Sequence, residues 1–384
     1  MNGRLRRLDI VKAIACIGVY MHHFLLAYFP ASYYGTEQVS RLYAGVDYLI
    51  ASEPIGVVFN GDFWVAVFLL IAAFLQARKS MMRGFKPGRD TIKRYLRLML
   101  PIIPAGIINY VIKYIMQITQ YTYRGNDVPY DFLHLLYHMF GVQWVQSDGT
   151  VLGPLWMIYA LFLGSVIAMF LGSLDRKDKT WPLLVYILMM IPALYKDLLF
   201  VPIVLGIILA DLITFDRLRF ITECRNKNVQ IAIAVVLISA SLYLAGYPSY
   251  ARPGVCYAWI PYVRNHPMAY RVIHALAAFA LVAGVCILPK KEASANAGTS
   301  KRRSILDFVI GHVYSIYLLH IIWIETVGYG LFATLVQNGT GLTTGGIIVF
   351  VVLSAGLAGS ALLYRRYEDF CNKCVKKLTS WITW

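Results

Sequence analysis

Two adjacent histidines, His22 and His23, lie inside the first hydrophobic segment of the chain. An ionisable side chain in such a segment is costly unless it has a function or a partner. Lys12 lies eleven residues before His23, and eleven steps of about 100° leave the two within about 20° on one helical face. At about 1.5 Å per residue, this face separates a cation from an imidazole by roughly 16 Å. The spacing predicts chemistry that uses both sides of a membrane, with a structural histidine bonded to a neighbouring helix as the alternative.

The composition of the chain identifies its class. Its 384 residues are 59% hydrophobic and 15% charged, and its mean hydropathy is +0.60. These values exclude a soluble domain of this length and predict a polytopic membrane protein. The formal net charge is +16. In a soluble chain that charge would indicate nucleic-acid binding, so the positions of the basic residues decide what it means.

Hydrophobic segments recur along the whole chain. We predict ten membrane spans, near residues 10–30, 54–77, 96–118, 152–173, 181–195, 197–213, 229–246, 269–288, 305–325 and 345–363. The fifth and sixth are short and are compatible with a re-entrant pair. The sequence therefore predicts an all-α, polytopic transmembrane helical bundle.

Basic residues cluster on one predicted side of these spans. Most of the 36 lysines and arginines fall within residues 4–12, 78–97, 176–179, 217–227, 290–303 and 365–377. An excess of positive charge marks the cytoplasmic side, so both termini are predicted to be cytoplasmic and nucleic acid is not implied. We expect one integral-membrane domain over residues 1–384, with a flexible cytoplasmic linker at 289–304 and a basic cytoplasmic tail at 364–384.

The six cysteines predict neither a disulfide framework nor a metal site. Cys16 and Cys286 fall within predicted spans. Cys371 and Cys374 have C-x-x-C spacing, yet one such pair supplies only two of the four ligands that a structural zinc needs. We therefore expect no bound metal.

Four short motifs follow one another along the chain. They are Arg7-Leu8-Asp9 with Lys12 and then His23; Arg94-Tyr95-Leu96-Arg97 leading to Pro101; Gly153-Pro154-Leu155-Trp156; and Tyr314-Ser315-Ile316-Tyr317-Leu318-Leu319-His320. With these motifs the chain resembles acyltransferase family three, a family of integral-membrane O-acyltransferases. Each motif alone is weakly specific, whereas four in this order within a ten-span chain are strongly specific.

The resemblance covers essentially the whole chain and implies an enzyme. Members of the family modify surface polysaccharides, lipid-linked sugars and related acceptors. The resemblance implies transfer of an acyl group, with acetyl as the first expectation, from cytoplasmic acyl-coenzyme A to a hydroxyl at the outer face of a bacterial inner or plasma membrane. The expected partners are acetyl-coenzyme A or another acyl-coenzyme A, a glycan or lipid-linked sugar acceptor, and membrane lipids. The acyl group, the acceptor and the oligomeric state are left open.

The basic motif on the inner side suggests where the donor binds. Coenzyme A carries phosphates, and guanidinium groups bind phosphate through paired hydrogen bonds. We expect Arg94 and Arg97, with Lys93 and Lys12 nearby, to hold these phosphates. The alternative for each residue is simple anchoring on the positive side of the membrane.

Transfer to a hydroxyl needs a base, and histidine is the side chain whose ordinary titration lies closest to neutral pH. His23 is expected to be that base, or to carry the acyl group covalently before the acceptor attacks. His320 is expected to position His23, the carbonyl or the acceptor, with a structural hydrogen bond as the alternative. Tyr317 and Ser315 are expected to support His320.

The acidic residues of the predicted site are only partly assigned. Asp9 lies three residues before Lys12 and is expected to pair with it. Trp156 is a supporting residue through its place in the third motif. The aspartate that the family carries in its second helix is absent from the stretch Ala66–Phe74. The acid that many members carry after the tryptophan motif is also absent, since Tyr159-Ala160 occupies that stretch. The carboxylate that would orient His23 is left open among Glu53, Asp62, Asp148 and Glu325.

A second class of function remains open from the residues alone. A transporter or flippase for a polysaccharide or lipid-linked sugar would also need a polar membrane interior. Such proteins often carry internal repeats with matching broken helices, and we find no such repeat in this sequence. The Lys12–His23 spacing and the inner arginines favour the enzyme.

Overall fold

The structure, a computed structural model, describes residues 2–29, 55–124, 155–174, 180–195, 198–215, 217, 221, 226–246, 269–289 and 305–382. The described residues form helices and turns and contain no strand. The predicted all-α fold class is therefore confirmed.

The α-helices follow one another along the whole described chain. They are α1 (Asn2–Tyr28), α2 (Gly61–Arg83), α3 (Pro87–Met99), α4 (Ile102–Ile118), α5 (Leu155–Gly172), α6 (Thr180–Tyr195), α7 (Val201–Thr214), α8 (Lys227–Gly246), α9 (Ala269–Ile287), α10 (Ile305–Trp323), α11 (Tyr329–Gln337) and α12 (Leu342–Ser380). Short 3₁₀ turns at Ile55–Phe59 and Leu198–Phe200 precede α2 and α7, and a π-helical turn at Ile324–Gly328 joins α10 to α11.

Within the described part of the chain, eight helical stretches are long and apolar enough to cross a membrane. They are Arg6–Tyr28, Gly61–Arg83, Pro87–Ile118, Leu155–Gly172, Lys227–Gly246, Ala269–Ile287, Ile305–Gln337 and Leu342–Ser380. Val201–Thr214 is a shorter apolar helix. The chain is thus a multi-pass helical membrane protein, as its composition predicts.

The last helix extends beyond its predicted span, because polar residues that favour helix follow its apolar part. The tenth span was predicted near 345–363, whereas α12 continues to Ser380. Lysine and arginine are good helix formers, and neither glycine nor proline follows Gly359. The predicted basic tail at 364–384 is consequently helical as far as Ser380.

The described helices group into two compact units. The first unit comprises Met1–Val19, Ala31–Phe85 and Leu163–Gly311, and the second comprises Tyr20–Pro30, Lys86–Phe162 and His312–Trp384. Helices α1, α5 and α10 each contribute residues to both units.

Close helix contacts in the first unit depend on glycine. A Cβ atom added at Gly206 of α7 would lie 2.4 Å from the carbonyl oxygen of Leu70 in α2. One added at Gly172 of α5 would lie 2.6 Å from the carbonyl oxygen of Ala77. Helices in membranes associate through such small residues because apolar burial gives little driving force there.

Asn60 supplies the polar anchor of the first unit. Its side-chain oxygen accepts from the N–H of Phe63 and caps α2, while its Nδ2 donates to the carbonyl of Ala245 over 2.9 Å. Nδ2 also lies 3.0 Å from Nε2 of His274. Both side chains are buried, so the bonds satisfy groups that would be costly to leave unpaired in a membrane.

The glycine contacts predict that Gly206→Ala destabilises the protein. The added methyl group meets backbone rather than a movable side chain, and overpacking of this kind costs about 1–3 kcal/mol. Gly359→Ala is the matched control, because nothing lies within 4 Å of its added Cβ. Thermal unfolding in detergent is expected to show a lower midpoint for Gly206→Ala only. Equal midpoints in the two variants would contradict the tight α2–α7 contact.

Candidate functional site

The second unit brings His23 and His320 together. His23 comes from α1 and His320 from α10, and their ring centroids lie 5.2 Å apart at an interplanar angle of 42°. The ring of His22 lies edge-on to His23 at 5.0 Å. His320 is 1% exposed, whereas His23 is only partly buried. The two histidines that the sequence singles out thus form one imidazole pair, with His23 the more accessible member.

The surroundings of His320 define its tautomer. Its Nδ1 lies 2.6 Å from the backbone carbonyl oxygen of Tyr317. A carbonyl can only accept a hydrogen bond, so Nδ1 carries the proton. Nε2 is buried and makes no hydrogen bond with the described residues. In the neutral imidazole this nitrogen holds a lone pair and can accept a proton.

The two residues expected to support His320 do so unequally. Tyr317 contributes its carbonyl, and its ring packs against the imidazole with centroids 5.6 Å apart. The hydroxyl of Ser315 instead donates to Oε2 of Glu368 over 2.9 Å. Arg365 binds the other oxygen of Glu368 at 3.0 Å. The contact observed for Ser315 therefore ties α10 to α12.

The predicted donor-binding arginines lie on α3, just before a break in the helix. Lys93 and Arg94 are partly buried, and Arg97 is exposed. Pro101 separates α3 from α4 because proline lacks the N–H that would continue the helical bonding. The structure therefore presents these three cations, together with Arg89, on one short amphipathic helix of the second unit.

Three tyrosine hydroxyls bind the carbonyls exposed at this break. Tyr314 of α10 donates to Leu98, and from α12 Tyr364 donates to Pro101 and Tyr367 to Leu100. Broken helices survive at membrane depth when side chains satisfy the freed backbone groups. These bonds hold α3 and its arginines at a fixed place against α10 and α12.

Lys12 belongs to the first unit. Its Nζ lies 2.6 Å from Oδ1 of Asp9, so the pairing predicted from their spacing is confirmed. Asp9 is thus an ion-pair partner of Lys12 within α1. The proposed contact between Lys12 and a phosphate stays a prediction.

Trp156 lies away from the protein core. It is the second residue of α5 and is 41% exposed, between the buried residues Leu155 and Met157. The first two residues of its motif, Gly153 and Pro154, lie outside the described residues. The supporting role expected for Trp156 stays a prediction.

The structure describes two of the four carboxylates that were left open as partners of His23. Glu53 and Asp148 lie outside the described residues. Asp62 lines a small crevice of the first unit that Arg271 also lines. Glu325 lies in the second unit, where its Oε2 is 2.7 Å from Nζ of Lys113. An ion pair this deep was not predicted, although a lysine within an apolar segment signals the need for a partner.

The described residues contain no group of three or more His, Cys, Asp or Glu side chains that could hold a metal ion. Cys371 and Cys374 lie one turn apart on α12, and both are free thiols.

One comparison with known proteins identifies a relationship. A family profile described as an acyltransferase domain matches residues 5–365. No curated protein and no solved structure matches the chain significantly. The profile match includes both histidines of the pair, the cations of α3 and the break that follows them.

Proposed function

The chain belongs to acyltransferase family three, the integral-membrane O-acyltransferases that include glycan O-acetylases, and we propose that it transfers an acyl group from acyl-coenzyme A to a hydroxyl of a cell-surface or lipid-linked glycan. The observation that carries this proposal is the His23–His320 pair within the matched residues. The family match also favours the enzyme over a transporter. Acetyl-coenzyme A is the first donor to test.

The donor is proposed to bind through its phosphates at α3. Arg94, Arg97 and Lys93 supply three positive charges there, and guanidinium groups form charge-assisted, two-pronged hydrogen bonds with phosphate. The tyrosine contacts at the following break support this assignment, because they fix the helix that carries the cations. Lys12, paired with Asp9, is proposed to add positive charge on the same side of the membrane.

The transfer step is proposed to use His23 as general base. It removes the proton of the acceptor hydroxyl while the hydroxyl oxygen bonds to the thioester carbon. The carbon–sulfur bond then breaks, and the proton passes to the departing coenzyme A thiolate. His320, whose Nδ1 is anchored to Tyr317, is proposed to orient His23 or to accept a proton at Nε2.

A covalent route uses the same residues. A ring nitrogen of His23 attacks the thioester carbon and the coenzyme A thiolate leaves. The acceptor oxygen then attacks the acyl carbon, the carbon–nitrogen bond to His23 breaks, and the hydroxyl proton passes to the released imidazole and on to the coenzyme A thiolate. Either route places the acyl group at the accessible member of the imidazole pair.

The sidedness of the reaction is proposed from charge. Basic residues dominate the chain ends and the segments at 78–97 and 290–303, so these are placed in the cytoplasm, where acyl-coenzyme A is made. The acceptor is proposed to approach from the outer face of a bacterial plasma membrane. His23, eleven residues along α1 from Lys12, then lies roughly 16 Å deeper.

Donor binding tests the proposal directly. Purified wild-type protein in detergent is expected to bind labelled acetyl-coenzyme A saturably and to release free thiol from it. An excess of unacetylated coenzyme A is expected to compete for binding, whereas acetate is not. Absence of saturable binding together with absence of thiol release would contradict the proposed donor.

A further inference from the structure

A π-helical turn follows His320 within four residues. It spans Ile324–Gly328, between α10 and α11. Such turns are rare and occur frequently at functional sites. A π turn shifts the hydrogen bonds of the helix, so some backbone carbonyls accept from groups outside the helix. Those groups hold the turn in place.

Tyr28 binds the turn from α1. Its hydroxyl donates to the carbonyl of Ile324 over 2.6 Å, and the side chain is 5% exposed. A Cβ atom at Gly328 would lie 2.3 Å from this hydroxyl oxygen. A side chain at position 328 would therefore displace the Tyr28 hydroxyl, and it would also meet Leu353 at 2.8 Å.

Arg124 makes a second bridge between the same two elements. Its backbone N–H donates to the carbonyl of Glu325 over 2.8 Å. Its guanidinium donates to the carbonyl of Leu26, in the last turn of α1. One residue thus binds both the end of α1 and the π turn.

Lys113 of α4 braces the turn from a third side. Its Nζ lies 2.7 Å from Oε2 of Glu325, and the two side chains are only 4% and 18% exposed. Removing one partner of such a pair leaves a buried charge without compensation, which is strongly unfavourable. The ion pair therefore commits the carboxylate of Glu325 to one position.

These contacts lie one turn of helix away from the imidazole pair. Tyr28 is five residues after His23, about 7.5 Å along its helix, and Ile324 is four residues after His320, about 6 Å along its helix. A bond between Tyr28 and Ile324 consequently links the two helices that carry the imidazoles. The separation of the rings depends on how these helices are held.

We infer that Tyr28, Arg124, Lys113, Glu325 and Gly328 form a π-turn clamp that sets the separation and orientation of His23 and His320. The members of the clamp are positioning residues, and the catalytic part of the inference rests on the proposed function. Small misplacements of reacting groups are costly, since a shift of about 1 Å can lower a rate by about 100-fold.

The first test removes single contacts of the clamp. Tyr28→Phe deletes the hydroxyl and keeps the ring, and Gly328→Ala pushes that hydroxyl away. Gly311→Ala is the matched control, since it lies in α10 and its added Cβ meets nothing within 4 Å. We expect kcat for thioester cleavage to fall about 10-fold to 100-fold in the two clamp variants, with the Kd of acetyl-coenzyme A and the Gly311→Ala rate unchanged. Equal kcat in all four proteins would overturn the inference.

The ion pair is tested by exchanging its charges. Lys113→Glu and Glu325→Lys each place two like charges together, so each is expected to lower kcat. The double exchange restores one charge of each sign and is expected to recover at least about 10-fold of the lost rate. No recovery in a folded double variant would overturn the role of the ion pair.

A spectroscopic measurement keeps the inference separate from the proposed function. Nitrogen NMR of protein labelled at its histidines reports the tautomer and hydrogen bonding of His23 and His320 without any substrate. We expect both imidazole signals to shift in Tyr28→Phe and Gly328→Ala and to stay in place in Gly311→Ala. Identical spectra would overturn the clamp, whereas shifted spectra in a protein without acyltransferase activity would sustain the clamp and refute the function.

Discussion

Replacement of His23 with asparagine is expected to lower the rate of thioester cleavage by about 1,000-fold, within the range that general base catalysis supplies. Asparagine is polar and of similar size but cannot take up a proton near neutral pH. His23 is the accessible member of the imidazole pair, so its loss removes the proposed base while α3 and its cations remain. The Kd of acetyl-coenzyme A is therefore expected to stay within about threefold of wild type.

The matched control for this variant is His312→Asn. His312 lies on α10 two turns before His320 and is partly buried, and it has no part in the proposed reaction. Steady-state release of coenzyme A thiol by both variants checks the prediction. A similar loss of rate in both would indicate a general effect of histidine replacement and contradict the assigned role of His23.

Loss of both α3 arginines is expected to weaken donor binding. Arg94→Ala with Arg97→Ala removes two guanidinium groups, and hydrogen bonds to charged groups contribute about 1.5–3 kcal/mol each. The Kd of acetyl-coenzyme A is expected to rise at least about 100-fold. At saturating acetyl-coenzyme A, the double variant is expected to retain most of its turnover because the imidazole pair is intact.

A second arginine pair separates phosphate binding from anchoring in the membrane. Arg83 ends α2 and Arg89 lies in the first turn of α3, in the same basic stretch. Arg83→Ala with Arg89→Ala removes equal charge and is expected to leave the Kd unchanged within about threefold. Equal weakening by the two double variants, measured by equilibrium binding of labelled donor, would favour anchoring over a phosphate site.

The two histidines of the pair could be picked out because the first motif lies on α1 and the last motif lies on α10. His23 stands out as an ionisable residue in an apolar helix, and His320 ends a recognisable motif. Their pairing follows once α1 and α10 pack together. The sequence predicts Arg94 and Arg97 at the start of a span near 96–118, whereas the structure places them on the separate helix α3, which ends at Met99 before the break.

The contacts between distant segments could not be predicted from spacing. Lys113 and Glu325 are 212 residues apart, and no periodicity links them. The same holds for Ser315 and Glu368 on two different helices. The last motif predicts that Ser315 supports His320. Its hydroxyl instead donates to Glu368, because α10 packs against α12.

The extents of some helices also depend on tertiary structure. Hydropathy finds the apolar part of α12 but not its polar extension to Ser380. That extension carries Glu368, which binds Ser315, and Tyr364 and Tyr367, which bind the break after α3. These contacts with other helices stabilise the polar turns of α12 that follow its apolar part.

The most direct test of the account is transfer of label to an acceptor. Membranes that contain wild-type protein or His23→Asn are incubated with acetyl-coenzyme A labelled in the acetyl group, and label is counted in glycan and lipid-linked sugar fractions. The account predicts ester-linked label in one of these fractions with wild type and almost none with His23→Asn. Equal labelling by the two proteins, or none from a wild type that binds the donor, would contradict it.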